Sequence, residues 1–202
     1  VTGALTTDRT ARVPFFNDLG QDVGIDVKYG LTRALTADLT VNTDFAQVEE
    51  DQQQINLTRF NLFFPEKRDF FLDGSLFFNF ADGGSGGGFG GGDIDLAPFF
   101  SRRIGLDERG TPQAINFGGK LTGQAGAFDV GVLQVQTREE ANAPGEDFSV
   151  LRLKRRFFRQ SYIGAIYTRR AARGVAIADR HTGGVDFELA TSTFLGSQNL
   201  VA

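Results

Sequence analysis

Residues 23–29 read Val-Gly-Ile-Asp-Val-Lys-Tyr, and this strict two-residue alternation, which recurs down the chain, constrains the fold more than any other feature. One face carries Val23, Ile25, Val27 and Tyr29, and the other Gly24, Asp26, Lys28 and Gly30. Successive side chains of a strand point to opposite sides, so the pattern predicts a strand with one apolar and one polar face. After a short turn at Thr32-Arg33 the alternation resumes, with Leu35, Ala37, Leu39 and Val41 against Thr36, Asp38, Thr40 and Asn42. Two such runs across a short polar turn predict a hairpin. Each run is about nine residues with its turn edge, near the length of a strand that crosses a bilayer at a tilt.

The pattern returns in the second half. Ile115, Phe117 and Leu121 oppose Asn116, Gly118, Lys120 and Thr122, and Gly123–Gly126 marks a turn. Phe128, Val130 and Val132 oppose Asp129 and Gly131; Leu133 and Val135 then reverse the phase, which predicts a bulge. A polar loop spans Arg138–Asp147. Leu151 and Leu153 oppose Arg152 and Lys154, Ile163, Ala165 and Tyr167 oppose Tyr162, Gly164 and Thr168, and Val185, Phe187 and Leu189 oppose Asp186 and Glu188. Only Glu49–Phe60 offers a competing, weak helical period. Short and long connections roughly alternate, the habit of an up-and-down meander. The expected class is all-β, an antiparallel up-and-down meander, and the alternation alone leaves open a soluble sandwich or part of an outer-membrane-type barrel. In a barrel the polar-face charges would meet a hydrated lumen, where opposite signs pair. In a soluble sandwich they would face solvent.

Composition narrows the function classes. The chain has 202 residues and net charge −4 with both signs dispersed, which gives no nucleic-acid footprint. It opens at Val1 and ends at Leu200-Val201-Ala202 within an apolar stretch, so we read it as an internal piece of a longer protein. No signal peptide is visible in it. No run is long and apolar enough for a membrane helix, whereas an alternating strand keeps hydropathy average and stays compatible with spanning. Cysteine is absent, which removes disulfides, thiol catalysis and cysteine-based zinc sites. Glycine (26) and phenylalanine (21) are abundant, but Trp is missing and Tyr occurs three times, unlike the usual aromatic girdle.

The segment 42–97 interrupts the alternation and reads as an irregular insertion within a single domain spanning 1–202. Asp44, Glu49, Glu50 and Asp51 form an acidic cluster; it reads as a solvated loop, with calcium as the hard cation such oxygens would take. Next, Pro65-Glu66-Lys67-Arg68-Asp69 sets charges between Phe63-Phe64 and Phe70-Phe71. This reads as a charged turn or plug anchored by aromatics, and as a candidate ligand-binding set of Glu66, Lys67, Arg68 and Asp69. Arg102 and Arg103, in Phe99-Phe100-Ser101-Arg102-Arg103, join it as natural partners for the acidic residues. Gly83–Gly92 lacks the Gly-Lys-Ser/Thr of a phosphate loop and reads as a flexible surface loop. The run Arg152, Lys154, Arg155, Arg156 and Arg159 reads as a solvated strand end or a contact for lipid phosphate. His181 is the only histidine, and neither Ser75 nor Ser101 sits in a nucleophile elbow. No constellation reads as an active site.

Five blocks carry a resemblance: residues 24–74 (GIDVKYG through FFLDG), 99–105 (FFSRRIG), 118–123 (GGKLTG), 150–157 (VLRLKRRF) and 161–168 (SYIGAIYT). In this order they resemble the DUF5916 family, the first block most specifically. The resemblance implies an outer-membrane β-barrel in a Gram-negative envelope, associated with an N-terminal carbohydrate-binding-like domain. The expected role is therefore envelope binding or transport of glycan-related ligands. Outer-membrane lipid and polysaccharide are the partners, and calcium is the only candidate cofactor. The alternative is a surface glycan hydrolase using carboxylates from Asp44, Glu49, Glu50, Glu66 and Asp69. A third possibility is a soluble all-β module with open edges. The 42–74 segment is expected to fold onto the polar, concave face, with Glu66 and Asp69 meeting strand arginines or Lys120.

Overall fold

The computed structural model describes residues 2–7, 17–22, 24–43, 66–81, 98–106, 113–140, 143–158, 161–194 and 198–201. Seven antiparallel strands form one open up-and-down sheet in chain order: β3 (Ile25–Gly30), β4 (Leu35–Thr43), β5 (Ile115–Ala125), β6 (Phe128–Thr137), β7 (Glu146–Phe157), β8 (Ser161–Ala172) and β9 (Arg180–Glu188). Two separate hairpins flank it in sequence, β1 (Thr2–Thr7) with β2 (Asn17–Asp22) and β10 (Ala190–Phe194) with β11 (Gln198–Val201). No described helix is long and apolar enough to cross a membrane, which says nothing of strands that cross.

The meander segregates its connections. Residues 31–34, 126–127 and 158–160 join strands at one end of the sheet, while 44–114, 138–145 and 173–179 join them at the other. The long β4–β5 connection contributes an inner layer of short elements. These are helix α1 (Asp69–Leu72) and two 3-10 turns, Ser75–Phe78 and Ser101–Arg103.

The alternation maps onto two faces of opposite character. On the inward face, Phe71, Phe78 and Ile104 of the inner layer pack with Ile115, Leu133, Val135, Phe148, Val150 and Ile166 of the strands. Beside this cluster, still on the inward face, lie buried Asp38, Thr40, Lys120, Thr122, Arg152 and Asp186. The outward face is apolar and uncovered, with Val27, Leu39, Leu151, Leu153, Ile163 and Phe187 all exposed. A soluble sheet with one solvated face has the reverse polarity.

The expected bulge in β6 is not there. Val132 pairs Leu121 and Leu133 pairs Lys120 in unbroken register, and β6 pairs β7 just as regularly. The phase reversal has another cause. Leu133 and Val135 point inward, where the inner layer covers the sheet and makes apolar side chains favourable. The register shift lies instead between Ile115 and Phe117, opposite Thr137 and Gln136.

Glycines on the inward face make room for what lies on it. A Cβ on Gly131 would stand 3.0 Å from the Phe78 ring. On Gly164 it would stand 2.5 Å from Arg152 Nη1 and 2.7 Å from Asp186 Oδ1. Gly164→Val is therefore expected to push this ion pair apart and lower stability by about 1–3 kcal/mol, as overpacking does. Gly183→Ala, whose Cβ meets nothing nearer than 3.9 Å, is the control expected to change little. Urea unfolding followed by far-ultraviolet circular dichroism distinguishes them.

Candidate functional site

The seam between the inner layer and the sheet gathers most of the buried charges into three clamps. The first lies within the inner layer. Arg68 is only 2% exposed, and its Nε and Nη2 donate to the two carboxylate oxygens of Glu66, both at 2.8 Å. Nη1 donates to the Ile104 carbonyl at 2.6 Å and Nη2 also to the Ser101 carbonyl at 3.0 Å. The Ser101 hydroxyl donates to Glu66 Oε2 at 2.7 Å, and the backbone N–H groups of Lys67 and Arg68 donate to Oε1. The guanidinium lies 4.2 Å from the centre of the Phe71 ring. One buried carboxylate and one buried guanidinium thus staple residues 66–68 to residues 101–104, and the fork geometry of arginine makes both sides fit.

The second clamp belongs to the sheet. Arg152 on β7 and Asp186 on β9 form a bidentate pair, 2.6 Å on each arm, reaching diagonally over Gly164 of the intervening β8. Arg152 Nε donates to the Asn79 carbonyl at 3.0 Å, and the Ala81 N–H donates to Asp186 Oδ2 at 3.0 Å. Phe80 lies against the guanidinium, its ring centre 5.4 Å away. The third clamp is Lys120 on β5. It pairs with Asp38 of β4 at 3.1 Å and donates to the carbonyls of Phe70 at 2.5 Å and Asp73 at 2.7 Å. Lys28 on the edge strand β3 pairs with the Asp73 carboxylate. That hydrogen bond holds the Asp73 carboxyl below its ordinary value.

The expected partners of the 66–69 turn are corrected in detail. Glu66 turns back to Arg68 and does not meet a strand arginine or Lys120. Asp69 opens α1 and is exposed, as are Lys67 and Arg103. Arg102 is buried, the middle residue of the turn that Ser101 opens. Lys120 does reach the inner layer, but through backbone carbonyls, which leave no sequence signal. Asp44, Glu49, Glu50 and Asp51, the calcium candidates, lie outside the described residues, as do Phe63, Phe64, the Glu49–Phe60 stretch and the Gly83–Gly92 loop. Among the described residues no group of three or more acidic or histidine side chains is placed to hold a metal ion. Ser101, passed over as a nucleophile, serves as a hydroxyl donor to Glu66.

Between the clamps lies a pocket lined by Phe71, Phe78, Phe99 and Leu133, with Ser75, Asn79, Ser101 and Lys120 supplying polar groups. Its cavity is small, about 30 Å³, room for a water or two below an open mouth. Its walls are fixed: Phe78 and Phe99 sit 5.5 Å apart, centre to centre, and Lys120 is held by its three acceptors.

Comparison with known proteins identifies the lineage. A family model described as a domain of unknown function, DUF5916, matches residues 15–130, more than half of the chain. The chain belongs to the DUF5916 family. The matched stretch takes in β3, β4, the whole β4–β5 connection and β5, so the seam described here is largely a property of the DUF5916 region. No curated protein and no solved structure matches the chain.

The Glu66 clamp has a definite pH signature. Burial pushes its carboxyl up, but the hydrogen bonds and charge of Arg68, with the Ser101 hydroxyl, outweigh this and hold it below the ordinary glutamate value. A general acid needs the opposite shift, so this DUF5916 carboxylate is unsuited to proton donation near neutrality. With its pKa lowered on folding, Glu66 stabilises fully above its unfolded value, and the contribution is lost as pH falls through the lower native one. Wild-type protein is therefore expected to loosen at residues 66–81 and 98–106 on acidification below about pH 4, whereas Glu66→Gln shows a shallower acid limb. Arg68→Ala, which leaves a buried carboxylate unpaired, is expected to cost about 3–5 kcal/mol. Amide exchange over 66–81 and 98–106 reads both.

Proposed function

We propose that the sheet is a section of the wall of an outer-membrane β-barrel in a Gram-negative envelope, and that residues 66–81 and 98–106 belong to a plug folded against its lumen side. The single observation that carries this reading is the inverted polarity of the sheet. Its uncovered face is apolar, and its covered face holds Arg152–Asp186 and Lys120–Asp38. Lipid selects for that arrangement, because outward residues meet acyl chains while inward ones meet water or a plug. Water selects against it, since so continuous an exposed apolar face promotes association.

The outline of the apolar face adds support. On β3 and β4 it comprises the paired rows Ile25–Val41, Val27–Leu39 and Tyr29–Ala37. On β8 and β9 the rows are Tyr167–Gly183, Ala165–Val185 and Ile163–Phe187. Followed through the ladder, Tyr29–Ala37 continues to Leu121, Val132, Leu151 and Tyr167, so the band shifts by two rows across the sheet. Two rows are about 13 Å along a strand and the crossing is about 24 Å wide, a slope of roughly 30°. Strands of membrane barrels lean by about 35–45° from the axis, and a level hydrocarbon band then runs obliquely over them. A solvated sheet face has no reason to show such a slope. The long connections gather at one end and the short ones at the other, also in keeping with this class.

Within the envelope we assign the protein to binding or passage of glycan-related ligands. The mouth of the pocket supports that choice: half-buried Phe99, Ser75 and Asn79 offer an aromatic face, a hydroxyl and an amide to the edge of a sugar resting on it. A clamped arginine–glutamate pair and a fully engaged lysine leave the pocket without a free charge, which suits a neutral ligand.

Because the chain has no cysteine, single-cysteine scanning tests the wall directly. Spin labels at Leu151, Val185 and Phe187 are expected to respond to a lipid-soluble relaxant in liposomes, and labels at Thr168 and Thr182, paired on an inward row, are not. The protein should also show heat-modifiable gel mobility. Water-soluble reagents broadening both sets equally, with no mobility shift, would refute the barrel wall. Asn79→Leu should weaken retention of a neutral hexose oligomer without altering the mobility shift.

A further inference from the structure

The outward face carries a cation at each border of its apolar band, and the two are treated differently. At the long-connection end, Arg169 is neutralised by Asp179, with contacts of 2.6 and 2.9 Å. At the short-turn end stands Arg155. Its neighbours on β7 are engaged on the inward side, Lys154 over the Tyr162 ring and Arg156 with Asp129 at 3.3 Å. Arg155 itself faces outward, with its guanidinium 5.7 Å from the centre of the Phe128 ring. Among the described residues no carboxylate pairs with it.

Its row is otherwise apolar. Across the ladder it runs Phe128, Arg155, Ile163, Phe187, and every one of these is exposed. Three positions on, at the turn into β8, Phe158 is 90% exposed and packs edge-on against Phe157. A guanidinium at the level of bare Phe and Ile is costly in an acyl environment unless an anion reaches it. Its stem can lie along the apolar row while the head extends toward the turns. Two parallel N–H donors then match two oxygens of a phosphate better than any ammonium would.

We propose that Arg155, beside Phe128, binds the phosphate of an anionic glycerophospholipid in the leaflet at the short-turn end of the sheet. This rests on the wall reading above and adds to it a defined headgroup site and a fixed depth in the bilayer. Phe128, Ile163 and Phe187 contact the acyl chains, and Phe158 sits at the interface.

The test uses the protein in neutral detergent micelles supplied with phosphatidylglycerol or phosphatidylcholine, with retained lipid counted by native mass spectrometry. Wild type is expected to retain phosphatidylglycerol preferentially. Arg155→Gln should lower that retention about fivefold, the effect of roughly one basic residue at an anionic surface. Arg155→Lys should fall between, and Arg169→Gln should match wild type. Phosphatidylcholine retention should be the same in all. Undiminished phosphatidylglycerol retention by Arg155→Gln, in a protein that keeps its heat-modifiable mobility, overturns the lipid site and leaves the wall reading standing. Displacement of phosphatidylglycerol by inorganic phosphate at matched ionic strength would mark a bare anion site and also overturn it. Absence of the mobility shift in wild type would remove both.

Discussion

The bidentate pair between Arg152 and Asp186 is the constraint on which the architecture turns. It joins β7 to β9 over the top of β8, and it is possible only because residue 164 has no side chain. Its remaining hydrogen-bonding capacity goes to the Asn79 carbonyl and the Ala81 N–H. A buried ion pair seldom adds net stability over an apolar substitute, but leaving either member alone is expensive. The pair therefore acts as a selector. Residues 79–81 complete it in one position and at one depth, and any other seating of the inner layer strands a charge.

Lys120 and Arg68 extend the same logic along the seam. Each donates to carbonyl acceptors drawn from short non-repetitive elements, so the side-chain cations satisfy the carbonyls of Phe70, Asp73 and Ile104. Four-residue helical pieces do not persist alone. Here they are held by charges below and by Phe70, Phe71, Phe78 and Phe99 between. Sheet and inner layer are consequently interdependent, since Arg152, Asp186 and Lys120 each exchange hydrogen bonds with the layer's backbone.

The strands were legible because a period of two needs only local chemistry: Val27, Leu39, Leu151 and Val185 on one side, Lys28, Asp38, Arg152 and Asp186 on the other. Legibility failed where tertiary cover changed the rule. Leu133 and Val135 read as a slipped register, although the register is intact and the environment changes beneath them. The turn at 66–69 was recognisable as charged and aromatic-flanked. Its pairing was not, because Glu66 and Arg68 meet through a backbone bend and Lys120 finds carbonyls. The small residues among inward charges, Gly118, Gly131 and Gly164, were a usable sign that something approaches that face closely.

Strand polarity fixes an arithmetic for any completed ring. Each neighbour in the sheet is antiparallel, so β3 and β9, the first and last of seven, point the same way. They cannot be zipped to each other without a parallel seam. A closure that is antiparallel throughout must insert an odd number of further strands between these two edges, whether one or many, and the finished count is then even. The free backbone donors of β3 and β9 thereby set the parity of whatever joins them before any contact is made.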